Sequence, residues 1–389
     1  MPDPSSQARR GQRAPTTDDT ANDPALPGLY AHIPFCERLC PYCDFYSEKG
    51  YDPPRGFFPA LAEEILTHKR LSAFEGPFGS VYVGGGSPSL LPVEDILSLG
   101  DAIKKAGIAP GAEFSVEANP GDLDLEKLEC WANIGANRLS LGAQSFSATG
   151  LAALGRSHSP DDTKATARLA QGLGMRLGLD IIIGWPGERR RDMLRDLGTA
   201  VGLGAGHLSV YILTIPGGSR MEGVLEAGGL PPLPSERAVA GMFLLAGEFL
   251  EAEGFHRYEV SNFARPGEEC RHNRLYWDRL PYLGVGPSAH SFDGACRWAN
   301  APELGEWLKA VPRGFARAFF KERLDEEAAR LEALLLGLRT DRGIDPSLVR
   351  DSAKAEGFVR KGLLTRGKDR LFATERGFLC ADWLAWQLA

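Results

Sequence analysis

From Leu29 onward, short apolar runs alternate with amphipathic stretches, and this alternation constrains the fold more than any other feature of the chain. The runs predict strands near 29–33, 80–84, 113–118, 137–142, 177–184, 207–213 and 256–260. Helical spacing fills 57–73, 93–106, 124–134, 161–174, 189–203 and 235–253 between them. Repeated strand–helix units build a parallel sheet with right-handed crossovers. Six such units predict an α/β domain closed as a full or partial barrel rather than a sandwich. The runs 81–83 and 181–183 suit strands covered on both faces.

In sheets of this kind ligands gather at the carboxyl ends of the strands. Past the first strand come Cys36, Cys40 and Cys43, three thiols within eight residues, spaced C-x3-C-x2-C. Three thiolates so close can face one metal centre, yet a closed zinc site or an ordinary four-cysteine cluster needs a fourth ligand. An incomplete set leaves one metal position open for a substrate or cofactor. A disulfide is disfavoured by the odd local count. An iron–sulfur cluster is the preferred reading. A zinc site completed by His32, in the strand just before, is the alternative.

The other strand ends carry polar groups as well. The second runs into Gly84, Gly85, Gly86 and Ser87, where bare backbone can approach a ligand. The third ends at Glu117 and Asn119, the fourth at Gln144 and Ser145, and the fifth contains Asp180. Each alone is explained by a hydrogen bond to a neighbouring loop. Together they offer carboxylates and amides to one ligand at the strand ends.

The cysteine spacing, with Tyr42 before the last cysteine, resembles that of the radical S-adenosylmethionine (SAM) superfamily. The flanking Tyr-x-His-Ile-Pro-Phe-Cys and Cys-Pro-Tyr-Cys-Asp-Phe resemble its coproporphyrinogen-dehydrogenase-like (HemN/HemW) branch. The resemblance implies a partial (β/α)6 TIM-like barrel with a smaller C-terminal module. It also implies a [4Fe–4S] cluster on Cys36, Cys40 and Cys43, whose fourth iron is chelated by SAM. Gly85, Gly86, Ser87, Glu117, Gln144, Arg156 and Asp180 fall on the family's SAM-contacting motifs, and Tyr30 and Tyr42 on its aromatic contacts. Ser87 keeps the hydroxyl of the family's threonine. The segment after the sixth strand, from Thr214, lacks the glutamate expected before proline, which puts a contact at that strand end in doubt.

Further on, His272, Asn273, Tyr276 and Trp277 lie among other aromatic residues and His290. By composition these are hydrogen-bonded core histidines. His-Asn-x-x-Tyr-Trp, however, resembles the motif of the branch's heme-trafficking members, which implies a heme contact at His272. Residues 28–265 are thus expected to form the barrel, 266–302 a connecting segment, and 303–389 a helical module with a winged-helix-like ribbon. Residues 1–27 are polar and expected to be disordered.

Three functions are consistent with these features: a heme chaperone that passes heme to an acceptor protein, a radical enzyme such as the oxygen-independent coproporphyrinogen III dehydrogenase, and a nucleic-acid-modifying protein. The dehydrogenases carry a further cysteine two residues past the third, where this chain has Phe45. The net charge of −7 gives no general basic footprint for nucleic acid, although residues 340–380 hold nine Lys/Arg against six Asp/Glu. The chaperone is therefore preferred, with an electron donor for the cluster expected. No apolar run approaches the ~20 residues of a membrane helix. Arg9 and Arg10 are followed by no hydrophobic stretch. The chain is expected to be cytoplasmic with reduced thiols, and peripheral membrane association stays open.

Overall fold

The structure is a computed structural model and describes residues 26–310 and 319–389. The expected disordered tail thus lies almost wholly outside the described residues. Six parallel strands lie side by side in chain order: β1 (Gly28–Ile33), β2 (Phe78–Gly85), β3 (Ile108–Ala118), β4 (Arg138–Gln144), β5 (Arg176–Ile183) and β6 (His207–Ile212). Between them run α1 (Phe57–His68), α2 (Val93–Ala106), α3 (Leu125–Asn133), α4 (Pro160–Gly172) and α5 (Arg190–Gly202), and α6 (Glu236–Ala252) follows β6. This is the expected partial (β/α)6 barrel. Local chemistry sets its helices. Ser159 and Asp162 form a reciprocal capping box at the start of α4. In α2, Glu94 and Asp95 occupy the first turn, Lys104 and Lys105 the last, and Gly107 the C-cap.

The strands are not covered alike on both faces. Leu29, Val81, Val83, Val116, Leu139, Leu141, Leu179, Ile181 and Ile183 are buried in the main core. The alternate positions, among them Tyr30, Tyr82, Glu117, Ser140, Asp180 and Ser209, line a cavity of about 280 Å³ inside the barrel. The strict two-residue period of a strand produces this division. The runs at 81–83 and 181–183 therefore include Tyr82, which faces the cavity.

The sheet extends beyond six strands. At one edge β6 pairs antiparallel with β8 (Asn262–Ala264), which pairs with β7 (His256–Arg257). At the other, β9 (Tyr282–Val285) pairs parallel with β1. Three antiparallel strands follow it: β10 (His290–Phe292), β11 (Cys296–Ala299) and β12 (Phe320–Arg323). Residues 266–302 thus hold α7 (Arg271–Trp277) and three strands of the sheet, not a mere connection. In α8 (Leu304–Ala310), Leu304 and Trp307 belong to the main core. A second core gathers only from Leu334 onward, around Leu338, Phe358, Leu371, Leu384 and Leu388. Its elements are α9 (Glu326–Gly337), α10 (Ser352–Arg360), the ribbon β13 (Leu364–Arg366) and β14 (Leu371–Ala373), and α11 (Ala381–Leu388). Two helices followed by a ribbon is the order expected of a winged helix. No described helix is long and apolar enough to cross a membrane.

Candidate functional site

The strand ends meet around the cysteine loop. Cys36 closes a two-residue strand that pairs with Glu48–Lys49, and the amide of Cys43 donates to the carbonyl of Cys40 at 3.1 Å. All seven cysteines are free thiols, and Cys43 is exposed. Two of the three loop sulfurs already receive donors. The Ser87 hydroxyl lies 3.7 Å from Cys36 Sγ, and Arg156 Nη1 lies 3.3 Å from Cys40 Sγ. Arg156 thus brings an N–H donor and a positive charge to the Cys40 sulfur. Burial raises the Cys43 thiol above its usual range. Among the described residues no three His, Cys, Asp or Glu side chains are grouped as a metal-binding set.

His32 is not free to complete a zinc site. Nδ1 is 2.9 Å from the Tyr30 hydroxyl and Nε2 is 3.1 Å from the Tyr46 carbonyl, and the ring is buried. Burial lowers its pKa to about 4. With three thiols, a cation at one sulfur and no spare imidazole, the donors fit a three-cysteine cluster better than a closed zinc site.

Asn119 ties the surrounding strand ends together. Its Nδ2 donates to Ser87 Oγ at 2.6 Å, and its Oδ1 accepts from Arg156. Arg156 also reaches the Gly142 carbonyl at 3.3 Å. Burial pulls this guanidinium down, but Tyr42 and Cys40 outweigh it and raise its pKa. Tyr42 itself is raised, first by burial and then by Cys40.

The glycine turn is tighter than a ligand alone would require. At Gly85, with φ of 104°, an added Cβ would sit 2.3 Å from the His32 ring; at Gly86 it would meet the Ile33 and Phe35 carbonyls at 2.6 Å. Their amides are occupied: Gly85 donates to Glu117 Oε2 at 3.0 Å and Gly86 to the Ile33 carbonyl at 2.8 Å. The turn can therefore offer an ammonium group its carbonyls, but it has no N–H to offer an anion.

Two carboxylates look into the barrel. Glu117 also accepts from the Tyr82 hydroxyl at 2.7 Å, and burial raises its pKa. Asp180 is raised to about 7 by burial, opposed by the Ser209 hydroxyl and aided by the charge of Glu117. A cation entering beside them would relieve both. Gln144 has φ of 60° where the β4–β5 register shifts, a strained conformation at a strand end. Thr214 is exposed and bonds only weakly, to the Ile212 carbonyl at 3.5 Å.

His272, the expected heme contact, lies on α7 at the wall of the barrel cavity. The ring is fully buried on α7, with Nδ1 2.9 Å from Ser80 Oγ and Nε2 2.9 Å from the Tyr276 hydroxyl. It stacks on Tyr82, and burial lowers its pKa to about 3. Both ring nitrogens meet hydroxyl groups, so the ring is held in one orientation. Sequence reasoning also passed over Tyr82, Ser140 and Ser209, which orient the two carboxylates. Their signal was the two-residue period, which places them on the same face as Glu117 and Asp180.

A parallel barrel with a three-cysteine loop after its first strand defines a class, and residues 30–200 match the model of the radical SAM superfamily. Over its described length the fold is similar to that of coproporphyrinogen III oxidase (HemN) from Escherichia coli, with a TM-score of 0.79 at 23% identity, covering 94% of this chain and 91% of that one. In sequence, the chain is 36% identical to the heme chaperone HemW of Mycobacterium tuberculosis, over 91% of this chain and 93% of the relative. It is 34% identical to the Escherichia coli heme chaperone HemW (90% and 95%) and 31% to that of Bacillus subtilis (92% and 97%). Within the radical SAM superfamily, this chain belongs to the HemW family.

Proposed function

We propose that this chain is a heme chaperone: it binds heme and hands it to an acceptor protein, and it carries a [4Fe–4S] cluster on Cys36, Cys40 and Cys43 with SAM at the fourth iron. The observation that carries this is likeness across about nine-tenths of the chain to proteins named heme chaperones, joined to three loop thiols of which two meet a polar donor. When bound, the cluster supplies an electron that can pass to the sulfonium of SAM.

The chain's own residues do the holding. Arg156 donates to Cys40, and Ser87 donates to Cys36. The carbonyls of the Gly84–Gly86 turn suit the ammonium of SAM, while Glu117 and Asp180 suit its cationic and hydroxyl groups. Tyr30 lines the same cavity as Glu117 and Asp180, and Gln144 and Tyr42 are assigned to SAM with it. Phe45, 73% exposed, stands where the dehydrogenases carry a further cysteine, which speaks for the chaperone over that enzyme. An electron donor and a heme acceptor are the partners this function requires, and free thiols throughout suit a reducing cytoplasm.

Anaerobic reconstitution with iron and sulfide, followed by heme titration of the same sample, tests the proposal. The expected result is the brown cluster absorbance together with a saturable Soret band. A protein that holds the cluster but gives no Soret band would overturn the chaperone function. Robust conversion of coproporphyrinogen III would establish the dehydrogenase instead.

A further inference from the structure

One surface at the cysteine end of the barrel has a charge opposite to that of the whole chain. The net charge is −7, yet the loop after β5 and the first turns of α5 hold Arg189, Arg190, Arg191 and Arg195, all exposed. Helix α6 adds Arg237, also exposed. The two helices meet here: a Cβ placed on Gly241 of α6 would lie 2.7 Å from Arg190 Nη2. Arg237 lies four residues before Gly241, one turn along the same face. The amino ends of α5 and α6 lie at this surface, and their dipoles add positive potential.

Little acid offsets these arginines. Asp192 lies 3.7 Å from Arg191 Nε and 3.6 Å from Arg195 Nη2, and Glu236 is exposed beside Arg237. Glu188 is buried, and burial raises its pKa to about 8, so it stays mostly protonated at pH 7. Among the described residues, Arg190 and Arg237 have no carboxylate within ion-pair reach.

The basic surface joins the cysteine loop. Tyr42 of that loop packs, with Leu213 and Leu230, against the apolar cluster that contains Trp185, four residues before Arg189. The Gly187 amide donates to the Pro232 carbonyl at 3.0 Å, and the Met221 amide to the Pro41 carbonyl at 3.2 Å. Apolar side chains stand exposed around this junction: Leu39 and Phe45 on the cysteine loop, and Val224 and Leu233 on the segment leading to α6. The charges nearer the loop, Glu37, Arg38, Asp44, Arg220, Glu222 and Glu226, are of mixed sign, so the five arginines set the sign of this face. Exposed apolar groups beside a rim of one charge make a surface suited to a protein of the opposite charge.

We propose that this face is where the electron donor docks, and that the donor is an acidic one-electron carrier protein. Its carboxylates would meet Arg190 and Arg237, and its redox group would lie toward the cysteine loop, whose Cys43 is exposed. The carrier is oxidised by one electron and the cluster reduced by one; no bond forms or breaks. The assignment rests on the cluster proposed above.

In the test, the reconstituted full chain and its Arg190→Glu/Arg237→Glu variant are titrated with an acidic flavodoxin and, separately, with an acidic [2Fe–2S] ferredoxin. Binding is read by calorimetry, and cluster reduction by the pre-reduced carrier is read from the loss of brown absorbance. Dithionite serves as a small reductant that needs no docking. The expected result is that one carrier binds the unaltered chain, more weakly as salt is raised. The variant should lose at least about tenfold in affinity and in the rate of reduction by that carrier. Dithionite should reduce both proteins alike. Should the double variant fail to fold, Arg237→Glu decides alone. Equal carrier affinity in variant and unaltered chain, or no binding of either carrier, would overturn the docking face while the cluster stands. Failure of the unaltered chain to form the cluster would overturn the function proposed above.

Discussion

At the scale of single residues, the chemistry is concentrated in groups whose neighbours are fixed before any ligand arrives. Arg156 and Asn119 join Cys40, Ser87 and the Gly142 carbonyl into one network, so the cysteine loop is anchored at two of its three sulfurs. Replacing any one of Cys36, Cys40 or Cys43 by Ser should abolish the cluster absorbance after reconstitution, because a hydroxyl is a poor substitute for a thiolate on iron; survival of the absorbance in all three variants would remove them as ligands. Asp180 offers a test by pH. Its folded pKa of about 7 lies above the ordinary carboxylate value, so between pH 4 and 7 the native state binds more protons than the unfolded chain. Stability from this group therefore falls as pH rises through that window and stays reduced above it. Asp180→Asn should match the unaltered protein near pH 4 and become progressively more stable than it toward pH 8, read by urea unfolding at each pH. A constant difference across the range would contradict the burial of this carboxyl.

At the scale of elements, a buried carboxylate joins α1 to the far edge of the sheet. Glu64 accepts from the Gly286 amide at 2.8 Å, from Asn300 Nδ2 at 2.6 Å and from Trp307 Nε1 at 3.0 Å. Burial raises its pKa to about 8, against the pull of these three donors. Glu64→Gln would set an amide N–H against one of those donors. It should destabilise the protein by roughly 1–3 kcal/mol, measured as a lower denaturation midpoint with an unchanged slope; an unaltered midpoint would show that the three contacts are dispensable. The strand–helix alternation from 29 to 260 was plain in the sequence because each element shows its own period over several residues. Strands β9–β12 were not, because they are three or four residues long and their pairing partners lie far away in the chain. β9 is a strand because β1 offers it an edge, and no local pattern records that.

At the scale of the molecule, two cores meet along a polar seam. The Val260 amide donates to the Arg339 carbonyl at 2.8 Å, and Asp341 donates back to the Tyr258 carbonyl at 3.1 Å. Arg274 spans the seam, with Nη2 at 2.9 Å from Asp341 Oδ2 and its guanidinium 4.7 Å from the centre of the Tyr258 ring. Arg274→Ala should loosen the second core against the barrel. The expected outcome is faster amide hydrogen exchange in α9 with exchange in α2 unchanged, and equal protection in both would show that the seam holds without it.

The sequence by itself determined the barrel, the order of its strands and helices, and the three thiols at the first strand end, because all of these are written in local period and spacing. It also marked Glu117, Asp180 and Arg156 as polar groups near those ends. Only the tertiary structure decided what each group touches. His272 carries a motif that resembles a heme contact, and its ring nitrogens meet Ser80 and Tyr276, residues 192 and 4 positions away. A hydrogen bond or a cavity wall belongs to pairs of residues brought together by folding, and spacing along the chain does not specify them.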